Sequence, residues 1–507
     1  MSDNLYALLE ANFPADPSAV FLDVENGPPV LYREIDDRTA RIAAALNAQG
    51  AAVGDRVVAQ VDKSPDAVML YLACLRAGLV FVPLNTAYTV QEVAFFLEDA
   101  GPAVFVCREA DRGTAEAIAR DAGVGAVLTL EDGGGSLLDA AAEAPPGSSV
   151  VARKADDLAA ILYTSGTTGK PKGAMLTHGN LSSNAFVLRD YWGFTGSDVL
   201  LHALPIFHVH GLFVAFHCAL ASGSRVIFQK AFVAQKVIAR LPEATAMMGV
   251  PTYYTRLLDA PGFTAEAARN VRLFISGSAP LLEETFAAFE ARTGKRILER
   301  YGMTEVGMAC SNPLDGERIA GTVGFALPGV AVRVADDAGR TVPRGTVGIL
   351  EMKGPNVFSG YWRLPDRTAE EFRPDGYFVS GDMARMDEAG RVTIVGRAKD
   401  LIISGGLNVY PKEVELCLDS LPGVRESAVF GVTHPDFGEG VTAAVVADGS
   451  VALDPETMLT GLAESLANFK QPKQILVVEE LPRNAMGKIQ KKALRDRYTN
   501  IYTNDEQ

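Results

Sequence analysis

Along the first 150 residues, apolar runs short enough for strands alternate with longer stretches of helical period. Residues 55–61 predict a strand, and residues 64–77 predict a helix. Ser64 suits the N-cap, Pro65 the first helical position, where no N–H is required, and Gly78 the stop. Residues 80–83, 103–107 and 127–130 read as further strands. This alternation predicts βαβ units and a mainly parallel sheet. Between 158 and 305 a strand-like run enters a Gly/Ser/Thr turn three times, at Thr164, Ser276 and Tyr301. Ligands of open α/β sheets bind beyond the carboxyl ends of strands, so the three turns are expected to converge on one pocket. Residues 281–292 predict an amphipathic helix with Gly294 near its end. From about 321 the chain turns to short strands and turns rich in Gly and Pro, which fit a small β subdomain. Strands and helices begin again after Gly396-Arg-Ala-Lys-Asp400. The expected fold is α/β: a large N-terminal domain of α/β sheets with a small β subdomain over 1–396, then a small α+β C-terminal domain over 397–507.

Composition narrows the function. The 507 residues are 48% hydrophobic and 21% charged, which excludes a disordered chain. With 47 Lys plus Arg against 62 Asp plus Glu, the net charge is −15. A nucleic-acid binder held by general charge is therefore disfavoured, while a local basic pocket for a phosphorylated small molecule is not. Five cysteines are scattered singly, which suits a reducing compartment. No Lys or Arg precedes Arg33, and no apolar run approaches the ~18 residues of a membrane span. The expectation is a soluble cytoplasmic protein without nucleic-acid or membrane partners.

The sharpest chemistry lies in Tyr163-Thr-Ser-Gly-Thr-Thr-Gly-Lys-Pro-Lys-Gly173. Gly166, Gly169 and Gly173 let a backbone approach a ligand closely. Amides and the hydroxyls of Thr164, Ser165, Thr167 and Thr168 can surround phosphate oxygens, and Lys170 and Lys172 add charge. It is not a Walker A loop, because Pro171 stands where Ser or Thr is required and opposes a helix start at Lys170. A GxGxxA pattern at 438–443 leads into a strand rather than a helix, so it is no dinucleotide fingerprint, and His208-Val-His210 is too sparse for a zinc site.

This segment resembles the signature of the adenylate-forming superfamily: acyl-CoA synthetases, peptide-synthetase adenylation domains and luciferases. Further motifs follow in family order across essentially the whole chain. Gly277-Ser278-Ala279-Pro280 and Glu299-Arg300-Tyr301-Gly302-Met303-Thr304-Glu305 match the adenine and phosphate segments. Asp382 matches the ribose-binding acid, with Arg397 assisting, and Lys399 the hinge about which the small domain turns. Ser404-Gly405-Gly406-Leu407 matches the loop facing coenzyme A. The resemblance implies that Tyr301 stacks on adenine, Thr304 bonds the α-phosphate, Glu305 ligates Mg²⁺ and Lys488 supplies the catalytic cation, with His208 beside the acyl group. ATP, Mg²⁺ and coenzyme A are the implied cofactors. A carboxylate attacking a phosphate brings two negative groups together, which explains the demand for cations and donors. Acetylation would remove the Lys488 charge, so a protein lysine acetyltransferase and deacetylase are candidate partners.

Peptide-synthetase domains place an Asp near His208 to hold an amino group, and this chain has none there. A free-standing acyl-CoA synthetase is preferred. Residues 249–258 and 299–305 resemble malonyl-CoA synthetases, some of which accept methylmalonate. The implied substrate is a small dicarboxylate whose second carboxylate needs a cation. Arg256 is the first choice for that cation and Arg300 the second, with His208, Ser278 and Met303 lining the pocket. The alternatives are a ligase for another short or aryl acid, and a nucleotide-binding regulatory protein without catalysis.

Overall fold

Helix Pro65–Ala77 forms as its caps predict. Ser64 Oγ accepts from the Ala67 amide at 3.1 Å, and Gly78 closes the helix at φ +68°. A Cβ at Gly78 would also lie 3.0 Å from Arg153 Cδ. Every residue of this helix is buried, since it packs within the main hydrophobic core. The computed structural model describes residues 2–145, 149–164, 171–404, 407–463, 466, 468–484 and 487–502.

Two large sheets share that core. The first runs in the order Ala126–Thr129, Val104–Cys107, Arg56–Gln60, Val80–Pro83, Leu158–Thr164, Lys172–Thr177. Its pairs are parallel except the last, where Leu158–Thr164 and Lys172–Thr177 run antiparallel. The second sheet places Leu298–Met303, Leu273–Ser276, Ala246–Gly249, Val199–His202, Arg225–Phe228 and Val20–Val24 side by side in parallel. The Thr164 turn thus belongs to one sheet and the Ser276 turn to the other. Tyr301-Gly302-Met303, expected as a turn, is the end of a strand that pairs antiparallel with Gly307–Ser311; the reversal falls at 304–306.

A four-stranded antiparallel sheet, Ala331–Ala335, Gly348–Lys353, Phe378–Met386 and Val392–Arg397, forms the β subdomain. Beyond it, Ile402–Ser404, Leu407–Val409, Val424–His434, Gly438–Ala447 and Gln474–Val478 form a separate sheet with its own core. The discarded 438–443 pattern is the first half of one of these strands. Among the described residues no helix is long and apolar enough to cross a membrane.

One buried carboxylate staples the β subdomain. Glu351 is fully buried and receives Arg333 Nε at 2.8 Å and Arg373 Nε at 2.7 Å, one at each oxygen. Glu351→Ala leaves two partly buried guanidinium groups without this partner. It is expected to cost on the order of 3 kcal/mol and to lower the thermal unfolding midpoint. Glu351→Gln should cost less; a melting curve unmoved by either variant would show that the pair contributes nothing.

Candidate active site

At the carboxyl ends of the parallel strands, Gly277 and Arg300 come together. Arg300 is 4% exposed, and its Nε and Nη2 are buried without a hydrogen-bond partner. A Cβ at Gly277 would lie 2.3 Å from Arg300 Cζ, so the guanidinium occupies the space that glycine leaves. Burial pulls this guanidinium down to about 9, where it is still charged at neutral pH. Ser278 follows with φ +72°, a left-handed conformation that costs a side-chain-bearing residue of order 1–3 kcal/mol. Its Oγ lies 3.3 Å from His210 Nδ1. His210 opens a π-helical turn, His210–Phe216, and is 1% exposed with Nε2 unpartnered. Its amide donates to His208 Nδ1 at 3.3 Å. Burial, then the charges of Arg300 and Lys488, bring His208 down to about 4, so its ring is neutral.

A second group joins the nine-stranded sheet to the β subdomain. Tyr301 donates its hydroxyl to Asp382 Oδ2 at 2.5 Å, and Arg397 Nε meets Asp382 Oδ1 at 2.7 Å. Met303 Sδ lies 3.9 Å from the same hydroxyl. A Cβ at Gly302 would meet the Gly307 carbonyl at 2.0 Å, which lets the hairpin close. Lys399 is exposed in the short 3₁₀ turn Ala398–Asp400 that leaves this sheet. Lys488 arrives from the C-terminal sheet's side, in a tight turn where Asn484 accepts the Lys488 amide at 3.0 Å and Lys488 returns its carbonyl to the Asn484 amide at 2.9 Å. Crowding by protein lowers the affinity of Lys488 for its proton. Arg397 and Lys399 act in the same sense, while Asp382 and Asp400 oppose it. The residue keeps an exposed surface, so water screens part of that effect.

The third group surrounds Glu305, which is 5% exposed and accepts from Tyr361 Oη at 3.0 Å. Burial holds its carboxyl above the ordinary value, and no ion pair reaches it among the described residues. A buried carboxylate without a cation suits Mg²⁺, which takes hard oxygen ligands. Lys172 does not point freely at a phosphate. Its Nζ is 2.8 Å from Glu371 Oε1 and 3.9 Å from the Tyr361 ring centroid. Thr164 Oγ1 donates to the Lys172 carbonyl at 3.4 Å, and Thr304 sits at the hairpin turn lining a small inner cavity with Val209 and Phe213. Ser165, Gly166, Thr167, Thr168, Gly169, Lys170, Gly405 and Gly406 lie outside the described residues.

Several expected residues stand apart from these groups. Arg256 is exposed on helix Pro251–Asp259 and lines a surface groove of about 300 Å³ with Phe232, Gln235 and Asp259. Of the apolar residues near it, Met247 and Tyr254 pack into a separate core with Phe274 and Phe289. Glu299 turns to the opposite face of its strand from Arg300, accepts from the Gly321 amide at 3.1 Å, and is raised by burial to about 8. Ala279 is half-buried and Pro280 exposed, beyond the Ser278 bend. Ser404 is buried at the strand pairing with Gly438, and Leu407 is exposed. His210 was missed; a zinc-site test cannot detect it, because its signal is an unpartnered buried nitrogen.

The fold and this arrangement define an enzyme that adenylates a carboxylic acid for transfer to a thiol. The chain belongs to the AMP-binding enzyme family: the family model for AMP-binding enzymes matches residues 10–362, and that for the AMP-binding enzyme C-terminal domain matches 413–488. A malonate–CoA ligase of Arabidopsis thaliana is 36% identical over 479 residues, 88% of this chain and 78% of that protein. A feruloyl-CoA synthase of an Amycolatopsis species is 37% identical over 478 residues, covering 93% and 94%. The crystal structure of ATP-bound MatB from Rhodopseudomonas palustris superposes with a TM-score of 0.97 at 53% identity, covering 99% of this chain and 100% of that one. The apo MatB structure gives 0.86 at 52% identity and the same coverage.

The electrostatics of His208 are testable by NMR. Its ring should titrate near pH 4 rather than at 6.5. Arg300→Ala removes a cation that disfavours the imidazolium, so the midpoint should move upward. A midpoint unchanged in that variant would mean that Arg300 does not contribute to it.

Proposed function

We infer that this chain is an ATP-dependent, AMP-forming malonate–CoA ligase, converting malonate, ATP and CoA to malonyl-CoA, AMP and pyrophosphate. One carboxylate oxygen of malonate attacks the α-phosphorus, the bond to pyrophosphate breaks, and malonyl-AMP forms. The CoA sulfur then attacks the acyl carbonyl, and AMP leaves. The observation that carries the choice of acid is the buried Arg300 guanidinium with Nε and Nη2 unpartnered. A second carboxylate on the substrate completes a two-donor fork there. An aryl acid such as ferulate would leave that charge buried and unpaired, which is strongly unfavourable. Methylmalonate, with the same two carboxylates, fits the same reading. Arg300 replaces Arg256 as the reader, since Arg256 faces solvent.

For the first half-reaction, Tyr301 and Asp382 receive the nucleoside, with Arg397 fixing Asp382, and Lys488 meets the charge developing between carboxylate and phosphate. Mg²⁺ held at Glu305 supplies charge neutralisation to the phosphates. The higher TM-score to ATP-bound than to apo MatB supports a chain arranged for adenylation. We place the domain boundary at 396/397, where Gly396 takes φ +152°, and the hinge at Lys399. Ser404, Gly405, Gly406 and Leu407 then serve CoA after the small domain turns. Acetylation of Lys488 by a protein acetyltransferase would block the first step alone.

Product analysis with a panel of acids tests the assignment: malonyl-CoA, AMP and pyrophosphate are expected, and ADP with phosphate would refute it. Arg300→Ala should lower kcat/KM for malonate on the order of 10²-fold and lower the malonate-to-butyrate preference. Arg256→Ala should leave that preference intact; the reverse pattern would return the role to Arg256. Lys488→Ala should slow adenylation on the order of 10²–10³-fold while sparing thioester formation from supplied malonyl-AMP. Equal losses in both half-reactions would end the two-conformation account.

A further inference from the structure

Tyr361 belongs to none of the motifs that carry the adenylation chemistry, yet its hydroxyl stands between two carboxylates. It lies 3.0 Å from Glu305 Oε1 and 2.8 Å from Glu371 Oε2. The charge of Glu371 is already met by Lys172 at 2.8 Å and Arg367 at 2.9 Å. No ion pair reaches Glu305 among the described residues. A phenol has one proton to donate. Glu305, buried and unneutralised, is the acceptor that gains most from it.

The surroundings hold this hydroxyl still. Tyr361 is 2% exposed, its ring packs edge-on against Phe358 at 4.9 Å, and Lys172 Nζ caps its face. The backbone on both sides is sewn to the strand that follows the Gly-rich turn. The Met175 amide donates to the Gly360 carbonyl at 2.9 Å, and the Trp362 amide to the Gly173 carbonyl at 2.8 Å. The Glu305 carbonyl is fixed from the same segment by the Phe358 amide at 2.7 Å. The route runs from the strand Lys172–Thr177 through Glu371 and Tyr361 to Oε1 of Glu305.

We propose that Tyr361, seated by Glu371 and Lys172, is a positioning residue that orients the Glu305 carboxylate toward the divalent cation accompanying ATP. The proposal rests on the reading of Glu305 as a ligand of Mg²⁺. Lys172 acts here through Glu371 and the Tyr361 ring rather than on a phosphate directly. A carboxylate held by one oxygen meets the metal with little reorganisation, and outer partners of this kind typically govern about 10–100-fold in metal affinity.

The experiment measures ATP affinity by calorimetry with saturating Mg²⁺ and again with EDTA. Tyr361→Phe keeps the ring under Lys172 and removes only the hydroxyl. It should shrink the Mg²⁺-dependent gain in affinity about ten-fold while leaving metal-free ATP binding unchanged. Glu371→Gln should shrink it less. Equal losses with and without Mg²⁺ would reveal a structural role and overturn the proposal. Glu305→Gln separates the two ideas. If it abolishes the gain while Tyr361→Phe leaves the gain intact, positioning by Tyr361 is wrong and Glu305 remains the ligand. If Glu305→Gln itself leaves the gain intact, the metal reading falls and the proposal with it.

Discussion

A guanidinium without a counter-charge, shut inside the protein at the end of a parallel strand, sets the terms for its surroundings. Removing such a group from water is costly, and protein usually neutralises it with a carboxylate. Among the described residues Arg300 forms no ion pair, and its Nε and Nη2 have no hydrogen-bond partner. Gly277 has to be glycine because the guanidinium fills its side-chain space. His208 and His210 are kept neutral by burial, which the charge of Arg300 reinforces. The strained backbone at Ser278 directs a hydroxyl to His210 and so keeps that ring in place. These features are costs in the empty protein, and an anion entering the pocket offsets them together.

Asp382 makes a different kind of joint. Its two oxygens tie Tyr301 of the nine-stranded sheet to Arg397 at the last residue of the β subdomain. Tyr301, Asp382 and Arg397 are thus one hydrogen-bonded unit. On the far side, Arg495 pairs with Asp400, and Lys491 reaches Glu415 at 2.5 Å. The helix Lys491–Arg497 that follows Lys488 is therefore tied to Asp400, the residue after Lys399.

Much of this was legible in the chain itself. The helix Pro65–Ala77 and its caps are local chemistry, and local chemistry survives folding. The ordered motifs carry the fold because each needs particular residue types at fixed spacing. What failed was everything decided by which face a residue takes. Arg256 follows an apolar stretch and looked pocket-facing, but that stretch feeds a second core behind the sheet and leaves the arginine outside. Glu299 and Arg300 are adjacent in sequence and point to opposite faces. Lys172 looked free for phosphate because nothing in the sequence announces Glu371, 199 positions away. The Tyr301 segment read as a turn because its glycine was taken for a bend; it is instead a close approach to Gly307.

The overall charge of −15 sharpens what the pocket must do. ATP and a dicarboxylate are both anions, and a net negative protein repels them at long range. In physiological salt that repulsion is confined to roughly 8 Å, so it affects approach more than binding. Attraction has to come from the few cations at short range: Arg300, Arg397 and Lys488. Arg300 and Arg397 are held in strands, while Lys488 stands in a turn. Under the proposed hinge motion Lys488 is the last cation delivered, and the anions enter a partly open site. Excluding water once they are bound strengthens the charge interactions that the reaction requires. Lys488 keeps an exposed surface, so water screens its charge beside Arg397 while the site holds no substrate.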